Sequence, residues 1–368
     1  MKNKIFAYGV LLALVFTACS TEDDLEPSDL DNDRVSTQLD MSNPLVKRWF
    51  TDYNTGVLYE YDRLLDFVYV ASSAQEAASW EGVELPELST LYSDENGVFI
   101  PSEEEAYKAH VQASLEFLDA NLFAYFKPNS KVATLMPHKV LISESIFSNG
   151  NIPGGKVLTE SEERFSSSNQ YGQRAVFNRH SIVFALNQDE FQNDPEGYTK
   201  DNFYIFLTRL MNMHNLYAQL PESFFTSKEN YYGKEMEAIY REELGIGEEK
   251  TVYVIDKNWF YSKGFIDAIY FYNGSSGLRS YTQSFDEDGN RLPTRITHLK
   301  AIRPNYDFVD SREIDVRSYI NEMIYRDADE FLEFPQNIQD NLKALLDLFT
   351  DLGIDILALN PDLEVLNQ

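Results

Sequence analysis

The chain has 368 residues, with 31 Lys and Arg against 60 Asp and Glu, five His and one Cys, for a formal charge of −29. That balance repels polyphosphate, which excludes nucleic-acid binding through counterion release, and it leaves no basic amphipathic helix for a membrane surface. One Cys excludes an intramolecular disulfide and a Cys-rich zinc site, while 43% apolar, 14% aromatic and 25% charged residues suit a globular protein with a sizeable core.

Lys2 and Lys4 precede a fourteen-residue apolar run, Ile5 to Ala18, that ends in Phe16-Thr17-Ala18-Cys19. The run is shorter than the roughly 20 residues a membrane span needs, so residues 1–18 read as a cleaved signal peptide. Its end resembles the lipobox of bacterial lipoproteins, with Phe16 in place of the usual Leu. Cys19 is then the lipidated first residue of the mature chain and its membrane anchor. From Ser20 to Arg34 come seven acids and one Arg with few apolar residues, too little to bury, so residues 19–42 read as a lipidated cysteine and an acidic flexible tether. Acids directly behind such a cysteine resemble the export signal of surface-displayed lipoproteins; a plain linker is the alternative. Loss of residues 1–18 leaves 29 basic and 60 acidic residues, a charge of −31.

Residues 43–368 carry no repeat and no low-complexity break, which implies one compact domain. Pro44 to Tyr53 predicts a short helix, and Thr55 to Tyr61 alternates as a strand does. Asn96-Gly97 marks a tight turn. Ser102 and Glu105 form a capping-box pattern opening a helix to about Phe126. Lys131 to Ile146 and Ala175 to Leu186 are the clearest strand regions. Lys200 to Gln219 is apolar most of the way round, as a buried helix is, with Thr199 as N-cap and Pro221 past its end. Helices over Lys228 to Leu244, Asp315 to Tyr325 and Gln336 to Asp351 follow, and this order of strands then helices implies an α+β fold.

Most motifs for chemistry fail on inspection. Gly150 to Lys156 has phosphate-loop spacing, but Val157 stands where Ser or Thr binds magnesium, and a surface loop fits better. The run Asp286 to Asn290 lacks a calcium loop's first ligand, at Ser284, and its bidentate Glu, at Arg295; a hairpin turn at Asp288-Gly289 explains it. Gly274-Ser275-Ser276-Gly277 has the wrong spacing for a nucleophile elbow. A glycosidase pair cannot be picked out of 60 acids. His110, His138, His180, His214 and His298 stand too far apart for a local metal motif, and His214, in the apolar helix, reads first as a satisfied core residue and second as a residual polar site.

Taken together, the entry strand Asp52 to Tyr61, the strand Lys139-Val140-Leu141-Ile142, the stretch Phe206 to Gln219 with Pro221 and Phe224, Tyr231-Tyr232-Gly233, Gly264-Phe265-Ile266 and the helix at Asn341-Leu342-Lys343 resemble the zinc-binding metallopeptidase lipoproteins associated with outer-membrane substrate import. The resemblance runs from Asp52 to Ile356. It implies a zincin-like single domain with a buried central helix, a zinc held by His-Glu-x-x-His on that helix, and an acidic ligand from a later helix. Registered on Gln219, those positions hold Met211, Asn212 and Asn215, and no register on His214 restores the motif. Asp315-Val316-Arg317-Ser318 fits the later helix and leaves Ser318 at the ligand position. With the ligands and the base missing, zinc affinity should collapse and no cofactor is expected.

The expectation is therefore an outer-membrane, lipid-anchored protein without metal or catalysis, working in binding or assembly within a nutrient-uptake complex, with a peptide or glycan ligand. Two other readings stay open at this point: an active metallohydrolase or glycosidase with an unrecognised site, and a glycan-binding accessory protein using some of its 23 Tyr, 25 Phe and three Trp (Trp49, Trp80, Trp259). Most of those aromatics are expected to fill the core.

Overall fold

The computed structural model describes residues 34–68, 82–148, 175–178, 180–187, 191–192, 195–272, 275–278, 281–282, 295–296 and 302–367. Cys19, most of the tether, Trp80, the 150–156 loop, the 286–290 run and His298 lie outside these. The chain divides into two units, 1–38 and 39–368; of the first, only a one-turn helix, Arg34–Gln38, is described. The end of the expected tether is ordered: Leu39 is buried, and the Asp40 carboxylate accepts from Tyr59 OH at 2.8 Å and Ser42 N at 3.0 Å.

The larger unit is α+β. A mixed sheet has the order β1 (Gly56–Leu58), β3 (Lys139–Ser143), β6 (Ser181–Ala185), β5 (Ala175–Phe177), with β1, β3 and β6 parallel and β5 antiparallel. Every residue of β1, β3 and β6 is buried. Strands covered on both faces read as continuous apolar runs rather than alternating ones, and of the alternating Thr55 to Tyr61 pattern only Gly56–Leu58 is strand. Within Lys131 to Ile146, Val132–Leu135 is a 3₁₀ turn ahead of β3. The Ala175 to Leu186 region folds back on itself because the Asn178 side chain accepts the N–H groups of His180 and Ser181, both at 2.9 Å. A short pair, β2 (Val83–Glu84) with β4 (Phe147–Ser148), is antiparallel. Further on, β7 (Ala268–Tyr272) pairs antiparallel with β8 (Ser275–Leu278) and β11 (Tyr306–Phe308), while β9 (Tyr281–Thr282) pairs with β10 (Arg295–Ile296).

Helix α1, Pro44–Tyr53, has the expected bounds, with Asn43 capping Leu45 N and Val46 N. Helix α2 runs Glu104–Asn121, and its start departs from the capping-box expectation: Pro101–Glu103 is a 3₁₀ turn, and the N-cap is Glu103 without a side-chain cap. Pro101 initiates the tighter turn and moves the helix start past Ser102. Helix α3 spans Pro195–Met213, not Lys200 to Gln219. It begins on Pro, which suits a first helical turn, and stops because Asn215 is left-handed at φ +49°, after which Leu216–Gln219 is a separate 3₁₀ turn. Helix α4 covers only Met236–Leu244, since Gly233 N and Phe308 N bond across to Val309 O and Lys234 O and hold the preceding segment beside β11. Helices α5, Arg312–Tyr325, and α6, Gln336–Leu352, match expectation closely.

The buried helix is α3. Phe203, Tyr204, Ile205, Phe206, Leu207, Leu210 and Met211 are all buried, each contributing about 1.5–3 kcal/mol relative to exposure. Phe126 packs on Phe203 and Phe206 at ring-centre distances of 5.6 and 5.1 Å, and Phe206 reaches Phe184 of β6. The segment after α6 closes against the same cluster, where Gly353 at φ +88° passes so near Ser130 that a Cβ has no room. Among the described residues, no helix is long and apolar enough to cross a membrane.

Candidate functional site

Two contacts set the register of α3 against α5. Tyr325 OH donates to Asp201, and Asn212 Nδ2 donates to Glu313. Numbers rise along α3 as they fall along α5, so the helices are antiparallel, and Thr208 stands level with Arg317 and Ser318. Asn212 stands level with Glu313, five residues from Ser318, about 7.5 Å of axial rise.

The four positions that the resemblance assigns to the zinc site therefore do not converge. Met211 is fully buried, Asn212 is exposed, and Asn215 is exposed in the turn beyond the helix. Ser318 is buried, and its hydroxyl donates to Asp315 O at 2.6 Å in its own helix. Thr208, across from it, likewise donates to Tyr204 O at 2.7 Å. A methionine, two carboxamides and a backbone-committed serine do not fit a zinc ion. Among the described residues, no three His, Cys, Asp or Glu side chains converge as a metal-binding group.

His214 is not a core residue: it is exposed past the end of α3, and Nε2 donates to Leu135 O at 2.9 Å. The satisfied core histidine is His110 on α2, whose Nε2 donates to Leu186 O at 2.9 Å while Nδ1 accepts from Tyr92 OH at 3.1 Å. Trp49 is buried with its face stacked 4.5 Å from Phe123, so it offers no sugar platform. Trp259 is half-buried, carries Lys263 over its ring at 5.1 Å and donates to Glu243 at 2.8 Å.

Beside that sealed helix pair lies a charged core. Lys228 Nζ sits 2.6 Å from Asp315 Oδ2, both side chains fully buried, and Tyr232 OH donates to the same oxygen at 2.9 Å. The ammonium also faces Phe224 at 3.9 Å and Tyr319 at 4.6 Å. Burial pushes the Lys228 ammonium down and the Asp315 carboxyl up, and their mutual attraction opposes both shifts.

An open cleft of about 400 Å³ lies elsewhere, lined by Tyr61, Arg63, Glu84, Glu87, Ser89 and neighbouring loop residues. Its far wall is the 3₁₀ segment Leu88–Tyr92 with the Asn96-Gly97 turn, closed by the Ser93 to Phe99 bridge. Its near wall follows from Arg63, which leads into a π-helical turn, Leu64–Val68. Such turns are rare and concentrate at functional sites. This one is anchored by Asp66, whose carboxylate meets Lys139 Nζ at 3.1 Å in the core.

Glu87 is the distinctive group of the cleft. It is half-buried, and desolvation raises its carboxyl above the usual range, with Glu60 and Asp62 adding to the rise; the Tyr61 N–H and Ser89 Oγ at 3.3 Å oppose it. Among the described residues it has no ion-pair partner. Arg63 donates to Val83 O at 2.8 Å and stands 3.8 Å from Glu84. Glu87 is not legible in the sequence because one carboxylate among 60 has no local signature; of the cleft, the strand pattern ending at Tyr61 and the Asn96-Gly97 turn are legible there.

No protein-family model, no curated protein and no solved structure matches this chain.

Proposed function

We propose that this chain is an outer-membrane lipoprotein anchored through Cys19, with a zincin-like fold that no longer holds zinc, and that it serves nutrient uptake by binding a ligand or partner. The observation that carries the reading is chemical: Met211, Asn212, Asn215 and Ser318 stand at the positions the resemblance assigns to ligands and base. Zinc affinity falls steeply with each lost ligand, and a carboxamide cannot take the proton that a Glu takes from metal-bound water. The zincin-like part of the reading rests on the resemblance, with the α+β class and the buried helix α3 beside a mixed sheet as its support. The Glu87 cleft supplies a place for a ligand that needs no metal.

Metal analysis of the purified chain tests the central point. Less than a tenth of an equivalent of zinc after dialysis is expected, and a stoichiometric zinc that survives dialysis overturns the reading. The anchor is tested separately: Cys19→Ser should move the protein from the membrane fraction to the soluble fraction, and its retention there would remove Cys19 from the account.

A further inference from the structure

The donor and acceptor inventory of the Glu87 cleft is one-sided. Thr90 Oγ1 donates to Glu87 O at 2.7 Å, Ser93 Oγ donates to Ser89 O at 2.9 Å, Ser89 Oγ donates to the Glu87 carboxylate, and Tyr61 OH donates to Leu85 O at 3.3 Å. Each hydroxyl hydrogen is committed to an acceptor of the protein, three to backbone carbonyls and that of Ser89 to the Glu87 carboxylate, which leaves the oxygen lone pairs as what these side chains can offer a ligand. The two carboxylates of the lining, Glu84 and Glu87, accept only. The cation of the lining, Arg63, directs its guanidinium to Val83 O and Glu84. A half-buried carboxylate flanked by like charges, in a cleft walled by acceptors, is complementary to a cation with several N–H donors.

We propose that the Glu87 cleft binds a primary ammonium group, with Glu87 as its counter-ion and the Ser89, Thr90 and Ser93 oxygens as further acceptors. Three N–H donors on a compact cation match this set, whereas a carboxylate or phosphate ligand meets repulsion from Glu84 and Glu87. Two sources present that chemistry in an envelope: the lysine side chain of a peptide and an amino sugar. The inference rests on the reading that this protein works by binding.

The test titrates the purified chain at pH 7 with Nα-acetyl-lysine methylamide and with glucosamine, each against its N-acetylated neutral counterpart, by calorimetry. At least one ammonium compound should bind, with its acetylated counterpart at least tenfold weaker, and the one that binds identifies the source. Glu87→Gln, nearly isosteric, should weaken the binding at least tenfold, while the ligand-side acetylation gives the same answer without touching the fold. Equal affinity for the free and acetylated compounds, unchanged affinity in Glu87→Gln, or no binding of either ammonium compound overturns the inference. In the last case a zinc-free protein still leaves the binding reading standing. A zinc-loaded protein overturns that reading, and the amine titration still decides the cleft.

Discussion

The α3/α5 seam and the Glu87 cleft both collect polar side chains, and they differ in what those side chains can reach. In the seam, Thr208 and Ser318 bond their own helices. Asn202 and Asn321 are buried with neither amide atom bonded among the described residues. In the cleft the hydroxyls are also bonded within the protein, but their residues and Glu87 line an opening. A polar group sealed in a core affects stability, and the same kind of group at a cleft wall can act on a ligand. The lesson is that polarity on the helix expected to carry the chemistry does not make a site unless the tertiary packing leaves an opening.

The largest effect that bears on this contrast concerns the core beside the seam. Lys228→Met or Asp315→Asn alone leaves one buried group without its partner and should cost about 3–5 kcal/mol by urea denaturation. The double variant Lys228→Met with Asp315→Asn should lose clearly less than the sum of the singles. Additive losses would mean that the two groups are not acting as a pair.

Next in size are the orphaned carboxamides. Asn321→Leu removes two buried polar atoms with no partner among the described residues and should leave stability unchanged or raise it by about 1 kcal/mol. A loss of more than about 1 kcal/mol would show that the seam holds ordered water, which would blur its difference from the cleft.

The smallest effect belongs to Glu87 without ligand. Its carboxyl is raised in the folded state, so its contribution favours folding below the ordinary Glu value of 4.5 and is lost as pH rises through the raised value. Glu87→Gln should therefore be more stable than the parent at pH 7, by no more than about 0.5 kcal/mol because solvent screens a half-exposed carboxylate, with the advantage vanishing near pH 4. An advantage that grows toward low pH would reverse the sign and show that the Glu87 carboxylate is not destabilised by desolvation. A residue that costs stability at neutral pH and recovers it on binding a cation is what a ligand site requires.

The elements with strong local signals are legible in the amino-acid order alone. Pro44–Tyr53, the helix ending at Tyr325 and the helix from Gln336 owe their bounds to Pro, Ser and Gly at their ends, a matter of backbone dihedrals and caps within a few residues. The apolar girth of residues 203–211 identifies the buried helix. The limits of α3 are less legible, because Asn215 takes the left-handed conformation without a glycine to signal it. The short strands are less legible still, since full burial on both faces erases alternation.

What the amino-acid order determined by itself was the α+β class, the acidity, the chemical unfitness of Met211, Asn212, Asn215 and Ser318 for zinc, and the cysteine at residue 19. Each depends on residue identity or on neighbours within one turn of chain. Only the tertiary structure decided that Thr208, not Met211 or Asn212, stands level with Ser318, that Lys228 and Asp315 meet in the core across 87 residues, and that Glu87 faces a cleft. Those depend on which helix faces meet and which carboxylate loses its water, and burial, unlike propensity, is a property of the whole chain.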